Sequence, residues 1–388
     1  MPGFRDRPVR LFPAVAAGTG LVLALSAAAA PSPGRSATAV AGQLSGVAAL
    51  SRSDAWAVGY RCVPGCTASS VLETLILHWD GSTWAPVASP SPGASQSILA
   101  GVTALSPSDA WAAGWYNVPS GGFRTLVLHW NGARWAQVPS PSPEVVDGSF
   151  LSSVSAVSAT NVWAAGWYYG PGGESSSTLV LHWNGTRWSA QRSPSPSHLG
   201  FNYLNALSAR SVSGAWAAGN DDNGTLLLRW SGTRWARVPG PSPGTAGSGA
   251  LAGVTALSAS DAWAVGGTGA ATLTLHWNGT GWSRVPSPRP GGGGDLNAVS
   301  AVSAADVWAA GCYIRSASGT GRVTLVLRWD GTRWARLATP NPGGATGACL
   351  SGVSALSASD VWAVGATDPF QPGKTLILHW NGASWTRF

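Results

Sequence analysis

Glutamate is nearly missing from this chain. Only Glu73, Glu144 and Glu174 occur in 388 residues, all in stretches that read as loops. Lysine is scarcer still, with Lys374 alone. No Lys/Arg run exists, so a nucleic-acid partner is not expected despite a formal charge of +7, part of which sits in the first ten residues. Charged residues make up 10% and hydrophobic ones 45%, which excludes a disordered chain. No long segment combines helical periodicity with freedom from Gly and Pro, so helices are not expected. What the chain has in quantity is tryptophan, 23 in all.

The first residues read as an export signal. Arg5, Arg7 and Arg10 precede an apolar run over Leu11–Leu25, followed by "SAAAAPSPG". The run is short for a membrane span. Residues 1–29 are expected to be a secretory signal peptide cleaved after Ala29, with Ala41 a second candidate site. Residues 30–43 are expected to be a linker. Free secretion as a monomer, with no membrane attachment after cleavage, is the resulting expectation.

The remainder repeats itself. "LHWNGTRW" at Leu181–Trp188 has counterparts such as "LHWDGSTW", "LRWSGTRW" and "LHWNGASW", seven copies in total. Each repeat begins at a leucine, at 44, 99, 151, 204, 251, 296 and 350, and a tryptophan follows twelve residues later, at 56, 111, 163, 216, 263, 308 and 362. Each repeat reads as four strands: "LxGVxAL" (a), "AWAVG" (b), "TLVLHW" (c) and "RWARVPSP" (d). Asn-Gly between c and d predicts a two-residue type I′ hairpin. That register pairs Trp183 with Thr186, His182 with Arg187 and Leu181 with Trp188. Leu179, Leu181, Trp183 and Trp188 then share one face and pack against a neighbouring repeat.

Seven four-stranded repeats of this period resemble a seven-bladed β-propeller over residues 44–388, an all-β fold of antiparallel blades. The "NGTRW" segment resembles the sialidase-type Asp-box, although Asp or Asn here directly precedes Gly. The period and paired aromatics are similar to kelch repeats and the galactose-oxidase central domain, without the kelch double glycine. With no strand left over for the last blade, blade 7 is expected to meet blade 1 through side-chain packing alone, unless residues 36–43 add an edge strand.

Catalytic chemistry does not assemble from the residues. Asp54, Asp109, Asp261, Asp306 and Asp360 recur once per repeat and read as a–b turn residues capping backbone groups. His78, His129, His182, His276 and His379 hold one equivalent place on strand c, with Arg229 and Arg328 in the other two repeats; His198 alone falls in a loop. Residues spaced one per blade do not converge on a substrate or a metal, so no catalytic residue, metal site or cofactor is assigned. Of the four cysteines, Cys62 and Cys66 are expected to close a small loop, with a zinc half-site as the rival reading. Cys312 and Cys349 are expected to pair between adjacent blades.

Binding is expected on the face of the b–c and d–a loops. The b–c loops range from 5 residues (220–224, 267–271) to 14 (60–73), whereas the a–b and c–d turns keep one length. Tyr60, Trp115, Tyr116, Trp167, Tyr168 and Tyr169 open the b–c loops of repeats 1 to 3 and are the candidate ligand-binding residues. The function expected is an exported, non-catalytic binding module for a carbohydrate or an extracellular protein. An atypical glycosidase or lyase on the same face and a purely structural interaction protein are the alternatives.

Overall fold

The computed structural model describes residues 40–66, 70–143, 148–197, 200–243, 249–315, 321–344, 347–368 and 373–388. The expected signal peptide, the linker up to residue 39, Glu144 and His198 lie outside the described residues. The chain forms seven antiparallel four-stranded sheets, each in the order a-b-c-d. Blade 3 is representative, with strands Ser149–Ser158, Asn161–Tyr169, Ser176–Trp183 and Trp188–Gln191. Among the described residues the single helical element is a short 3₁₀ turn at Pro171–Gly173.

The tryptophan pattern is the joint between blades. Each strand-b Trp projects into the next blade, where it meets the strand-c and strand-d tryptophans. Trp163 lies 4.9 Å from Trp230 and 5.5 Å from Trp235. Trp362 of blade 7 lies 5.1 Å from both Trp79 and Trp84 of blade 1, which closes the ring. The strand-d ring meets the strand-b ring edge-on, at 80° for Trp163–Trp235 and 86° for Trp362–Trp84. Edge-to-face contact suits the quadrupole of aromatic rings. The strand-c indoles donate Nε1–H to an a–b turn carbonyl, as Trp183 does to Ala159 at 3.1 Å.

The c–d hairpin differs from the sequence expectation. Trp183 pairs directly with Trp188 and His182 with Ser189. The connection therefore spans four residues, 184–187, rather than two. The cause is the Asn184 side chain, whose Oδ1 accepts the backbone N–H of Thr186 and Arg187, each at 3.0 Å. Gly185 takes φ +95°, and a Cβ there would sit 2.8 Å from the Thr160 side chain on the a–b turn. The two tryptophans still share one face, because directly paired residues project the same way.

The d–a links carry more structure than a variable connection. Thr178, near the start of strand c, shares hydrogen bonds with Ser193 Oγ at 2.7 Å and Ser195 Oγ at 3.2 Å, and donates to Pro194 O at 3.1 Å. Thr74 and Thr125 hold the same Ser-Pro-Ser segment in their blades. At blade 7 the segment leading into the first strand a takes this place. Thr375 N donates to Val40 O at 2.9 Å, Val40 N to Thr375 Oγ1 at 3.0 Å, and Gly42 N to Gly373 O at 2.9 Å. Closure thus combines indole packing with main-chain hydrogen bonds from residues 40–42 to strand c of blade 7, where Ala41 and Lys374 form an antiparallel bridge.

Candidate functional site

Strand b runs longer than its sequence pattern indicates. It spans Asp54–Val63, Asp109–Asn117 and Asn161–Tyr169 in blades 1 to 3. Tyr60, Trp115, Tyr116, Trp167, Tyr168 and Tyr169 are therefore strand residues and not loop openings. Trp115 pairs with Ile98 and Thr125, and Trp167 with Phe150 and Thr178. Trp163, Ala165 and Trp167 alternate onto one side of the strand, so Trp167 continues the inter-blade joint toward the variable face.

Each joint has an upper slot, filled by the residue four beyond the strand-b Trp and the residue preceding the recurrent leucine of the next strand a. The occupants are Tyr60 with Ile98, Trp115 with Phe150, and Trp167 with Tyr203. At the next slot Asn220 accepts from Asn205 of its own blade, whose Nδ2 also donates to Leu251 O of blade 5 at 2.8 Å. Gly267 meets Asp295 at the joint of blades 5 and 6, where a Cβ on the glycine would meet Asp295 Oδ1 at 2.0 Å. The Cys312–Cys349 disulfide fills the joint of blades 6 and 7, and Cys62–Cys66 closes the blade-1 loop. Aromatic filling is thus confined to blades 1 to 4.

These rings form one continuous cluster. Trp115 lies 5.2 Å from Phe123 and 5.4 Å from Phe150. Phe150 stacks on Trp167 at 5.4 Å, Trp167 meets Tyr203 at 5.1 Å, and Tyr203 stacks on Phe201 at 6.0 Å. Trp115 and Trp167 are buried, at 5% and 3% exposure, whereas Phe201 is 37% exposed. Tyr60, Tyr116, Tyr168 and Tyr169 are half-buried. Burial, and then the neighbouring Tyr169, push the Tyr203 phenol well above its ordinary range; burial also raises Tyr60. Beside the cluster, a groove of about 510 Å³ is lined by Tyr116, Arg124, Thr125, Gln137, Pro139, Ser140 and Ser142.

Several carboxylates toward this face are already engaged. Arg61 donates to Glu73 at 2.6 and 2.9 Å. Asp221 accepts from Arg237 at 3.2 Å and from Asn223 N at 2.8 Å. Asp222 accepts from Phe201 N at 3.1 Å. No group of three or more His, Cys, Asp or Glu suited to a metal occurs among the described residues.

On the opposite face the recurrent aspartates take a role that sequence spacing did not disclose. In four blades their Oδ1 accepts the Nε2–H of the strand-c histidine of the same blade, at 2.9 Å for Asp54–His78 and 2.8 Å for Asp360–His379; in blade 6 Asp306 Oδ1 accepts from Arg328 Nε at 2.8 Å. The serine three residues earlier caps the turn, as Ser51 Oγ does for Ser53 N at 3.2 Å. The signal in the sequence was partial: blade 4 lacks both the Asp and the His, with Gly214 and Arg229 in their places, but blade 3 keeps the His beside Asn161 and blade 6 the Asp beside Arg328.

Fold and site together define a seven-bladed β-propeller with one variable, aromatic-lined face. Solved propellers are similar to it. A structure of YCF48 bound to D1 peptide is 15% identical, with a TM-score of 0.53 over 88% of this chain and 92% of that one. YCF48 from Cyanidioschyzon merolae is 16% identical, with a TM-score of 0.52 over 90% and 97%. The GH74 xyloglucanase from Xanthomonas campestris is 15% identical, with a TM-score of 0.55 over 90% of this chain and 55% of that one. At such identities the likeness is one of fold. No protein-family model and no curated protein matches the sequence. No helix among the described residues is long and apolar enough to cross a membrane.

Proposed function

We propose that this chain is an exported, non-catalytic binding module whose variable face takes a segment of an extracellular protein over blades 1 to 4. The observation that carries the reading is the aromatic cluster from Trp115 to Phe201, which is buried at one end and surfaces as an exposed ring at the other. Rigid, half-buried aromatics anchor protein segments with little entropic loss. The groove beside Tyr116 and Gln137 offers polar groups next to that apolar wall. Both disulfides and the signal-like first residues support export. The engaged carboxylates favour binding over glycoside hydrolysis, which requires two carboxyl groups free to face one bond. The Asn and Asp side chains that close the c–d turns support a distant kinship with Asp-box repeats.

Carbohydrate is the second reading, favoured by the partly exposed rings of Tyr116 and Tyr168. Sugar stacking needs an open ring face, and burial withholds this from Trp115 and Trp167. Selection from a displayed peptide library, run beside a glycan array, separates the two. Peptide binders that lose affinity to a Tyr116→Ala, Tyr168→Ala, Phe201→Ala variant of unchanged melting temperature support the proposal. Glycan binders with no peptide binders would replace it with the carbohydrate reading.

A further inference from the structure

The face opposite the variable loops is regular in most blades and departs from the pattern in one sector. Near the a–b turn six blades carry an apolar residue, Leu50, Leu105, Val157, Leu257, Val302 or Leu356; blade 4 carries Arg210. Where five blades carry the recurrent aspartate, which holds a histidine in four of them and Arg328 in blade 6, blade 3 has Asn161 and blade 4 has Gly214, while the blade 4 histidine is replaced by Arg229. The residue before the strand-d tryptophan is arginine in three consecutive blades, as Arg134, Arg187 and Arg234. Blade 4 also presents Val212, 70% exposed, at the tip of its a–b turn.

Elsewhere on this face arginines have carboxylate partners. Arg52 reaches Asp360 across the closing joint at 3.5 Å, Arg328 binds Asp306 at 2.8 Å, and Arg333 lies 3.8 Å from Asp330. Among the described residues, Arg134, Arg187, Arg210, Arg229 and Arg234 form no ion pair. In blades 2 to 4 the carboxylate at these turns is Asp109, which holds His129 at 2.9 Å. Arg229 is pinned: it lies 5.5 Å over Trp216 and over Trp277, and donates to Ala259 O at 3.4 Å. Arg187, Arg210 and Arg234 are exposed. Positive charge is therefore added, and negative charge removed, at the same sector of the ring.

We propose that the a–b/c–d face of blades 2 to 4 is a second binding surface, for an acidic polysaccharide whose carboxylates are taken by Arg187, Arg210 and Arg234 with Val212 against a sugar ring. The guanidinium fork matches a carboxylate in two parallel hydrogen bonds. Arg187 and Arg234 hold equivalent positions in adjacent blades and so stand one blade apart, which suits a polymer carrying successive acids better than a single small anion. Val212 supplies an apolar contact for the C–H face of a pyranose, and the hydroxyls of Thr186 and Thr233 lie on the same turns. The site is on the opposite side of the ring from the proposed protein-binding face, so either can fail without the other.

The test is affinity electrophoresis of the full chain through gels containing polygalacturonate, with neutral dextran as the blank. The sector is altered to residues that other blades carry at the same positions, Arg187→Ser, Arg210→Leu and Arg234→Ser. A control triple, Arg192→Ser, Arg284→Ser and Arg289→Ser, removes equal charge outside these turns. The wild type is expected to be retarded by polygalacturonate, less so at high salt. The sector variant is expected to bind about tenfold more weakly or worse, with the control unchanged. No retardation of the wild type overturns the proposal. So does an equal loss in the control, which would mean diffuse charge, or stronger retention by a phosphate polymer than by polyuronate. If the triple fails to melt cooperatively, Arg210→Leu alone decides: undiminished retention overturns the assignment.

Discussion

The Nε2–H of His276 donates to Asp261 Oδ1 at 2.9 Å, and the same ring packs 4.5 Å from Trp263. A carboxylate only accepts, so the contact fixes which imidazole nitrogen carries hydrogen in the neutral ring. The aspartate thereby orients a histidine that lies against the joint tryptophan. Asp261→Ala is expected to cost about 1 kcal/mol, read from urea unfolding. An unchanged midpoint would mean that the ring is held by stacking alone.

Blade 3 has an amide where this carboxylate belongs. Burial lowers the pKa of His182, whose partner is Asn161 at 2.9 Å. A depressed histidine favours the neutral ring in the folded state, so stability falls as pH drops below the ordinary value of about 6.5. Asn161→Asp is expected to raise the pKa of His182 by giving the charged ring a carboxylate partner, so that less stability is lost on acidification. Proton NMR titration of His182 and melting curves at acidic and neutral pH check both statements.

The exposed turn of blade 6 has its own acid dependence. Asp330 is lowered to about 2, first by the Thr332 hydroxyl and then by the N–H groups of Arg333 and Thr332. A depressed carboxylate contributes stability above its ordinary pKa, and that contribution is lost as pH falls through the depressed value. Asp330→Asn should flatten that part of the stability profile below about pH 4. Melting temperatures of both proteins across that range, converging or parallel, decide the matter.

Two disulfides predict two different costs. Cys312–Cys349 joins adjacent blades across a separation of 37 residues, whereas Cys62–Cys66 spans four. Replacing the first pair by alanine should destabilise by ~2–4 kcal/mol, and the second by less, because the longer loop constrains the unfolded chain more. Denaturant midpoints of the two double variants give the ranking. Peptide mapping without reductant should recover both links.

Closing the ring should be costly to undo. Trp362→Ala empties the joint between blades 7 and 1, beside Trp79, Trp84 and Phe388. A loss of ~3–5 kcal/mol is expected for a buried tryptophan. Thr375→Val, which removes the hydroxyl that accepts from Val40 N, should cost about 1 kcal/mol. Thermal melts of the two variants should rank in that order.

The period and the paired tryptophans were legible in the sequence because they are the joints themselves, repeated in every copy. The hairpin register was not. Asn184-Gly185 has the form of a two-residue turn, and only the reach of the Asn184 side chain to Arg187 N widens it. The "PSPSP" segments read as links because their anchor, Thr178 in blade 3, lies 15 to 17 residues away. The length of strand b was readable in part, since Trp163, Ala165 and Trp167 keep one alternation without a break. The burial of Trp167 depends on Phe150 and Tyr203 from separate strands, which no local pattern reveals. The pairing of Cys312 with Cys349 was legible, because both positions adjoin the strand-b and strand-a residues that meet at every joint.

The strap from Val40 to Gly42 gives the molecule an order of assembly in time. Its partners, Gly373 to Thr375, follow the other six blades in the chain, as does Trp362, which covers Trp79 and Trp84. Blade 1 therefore waits, with one indole-lined side bare, while six further blades are synthesised and dock in turn. Contacts of such long sequence separation form slowly. The newly made chain is thus most vulnerable to self-association at blade 1, and a chaperone or an export route that holds the chain until its last blade emerges would shield that surface.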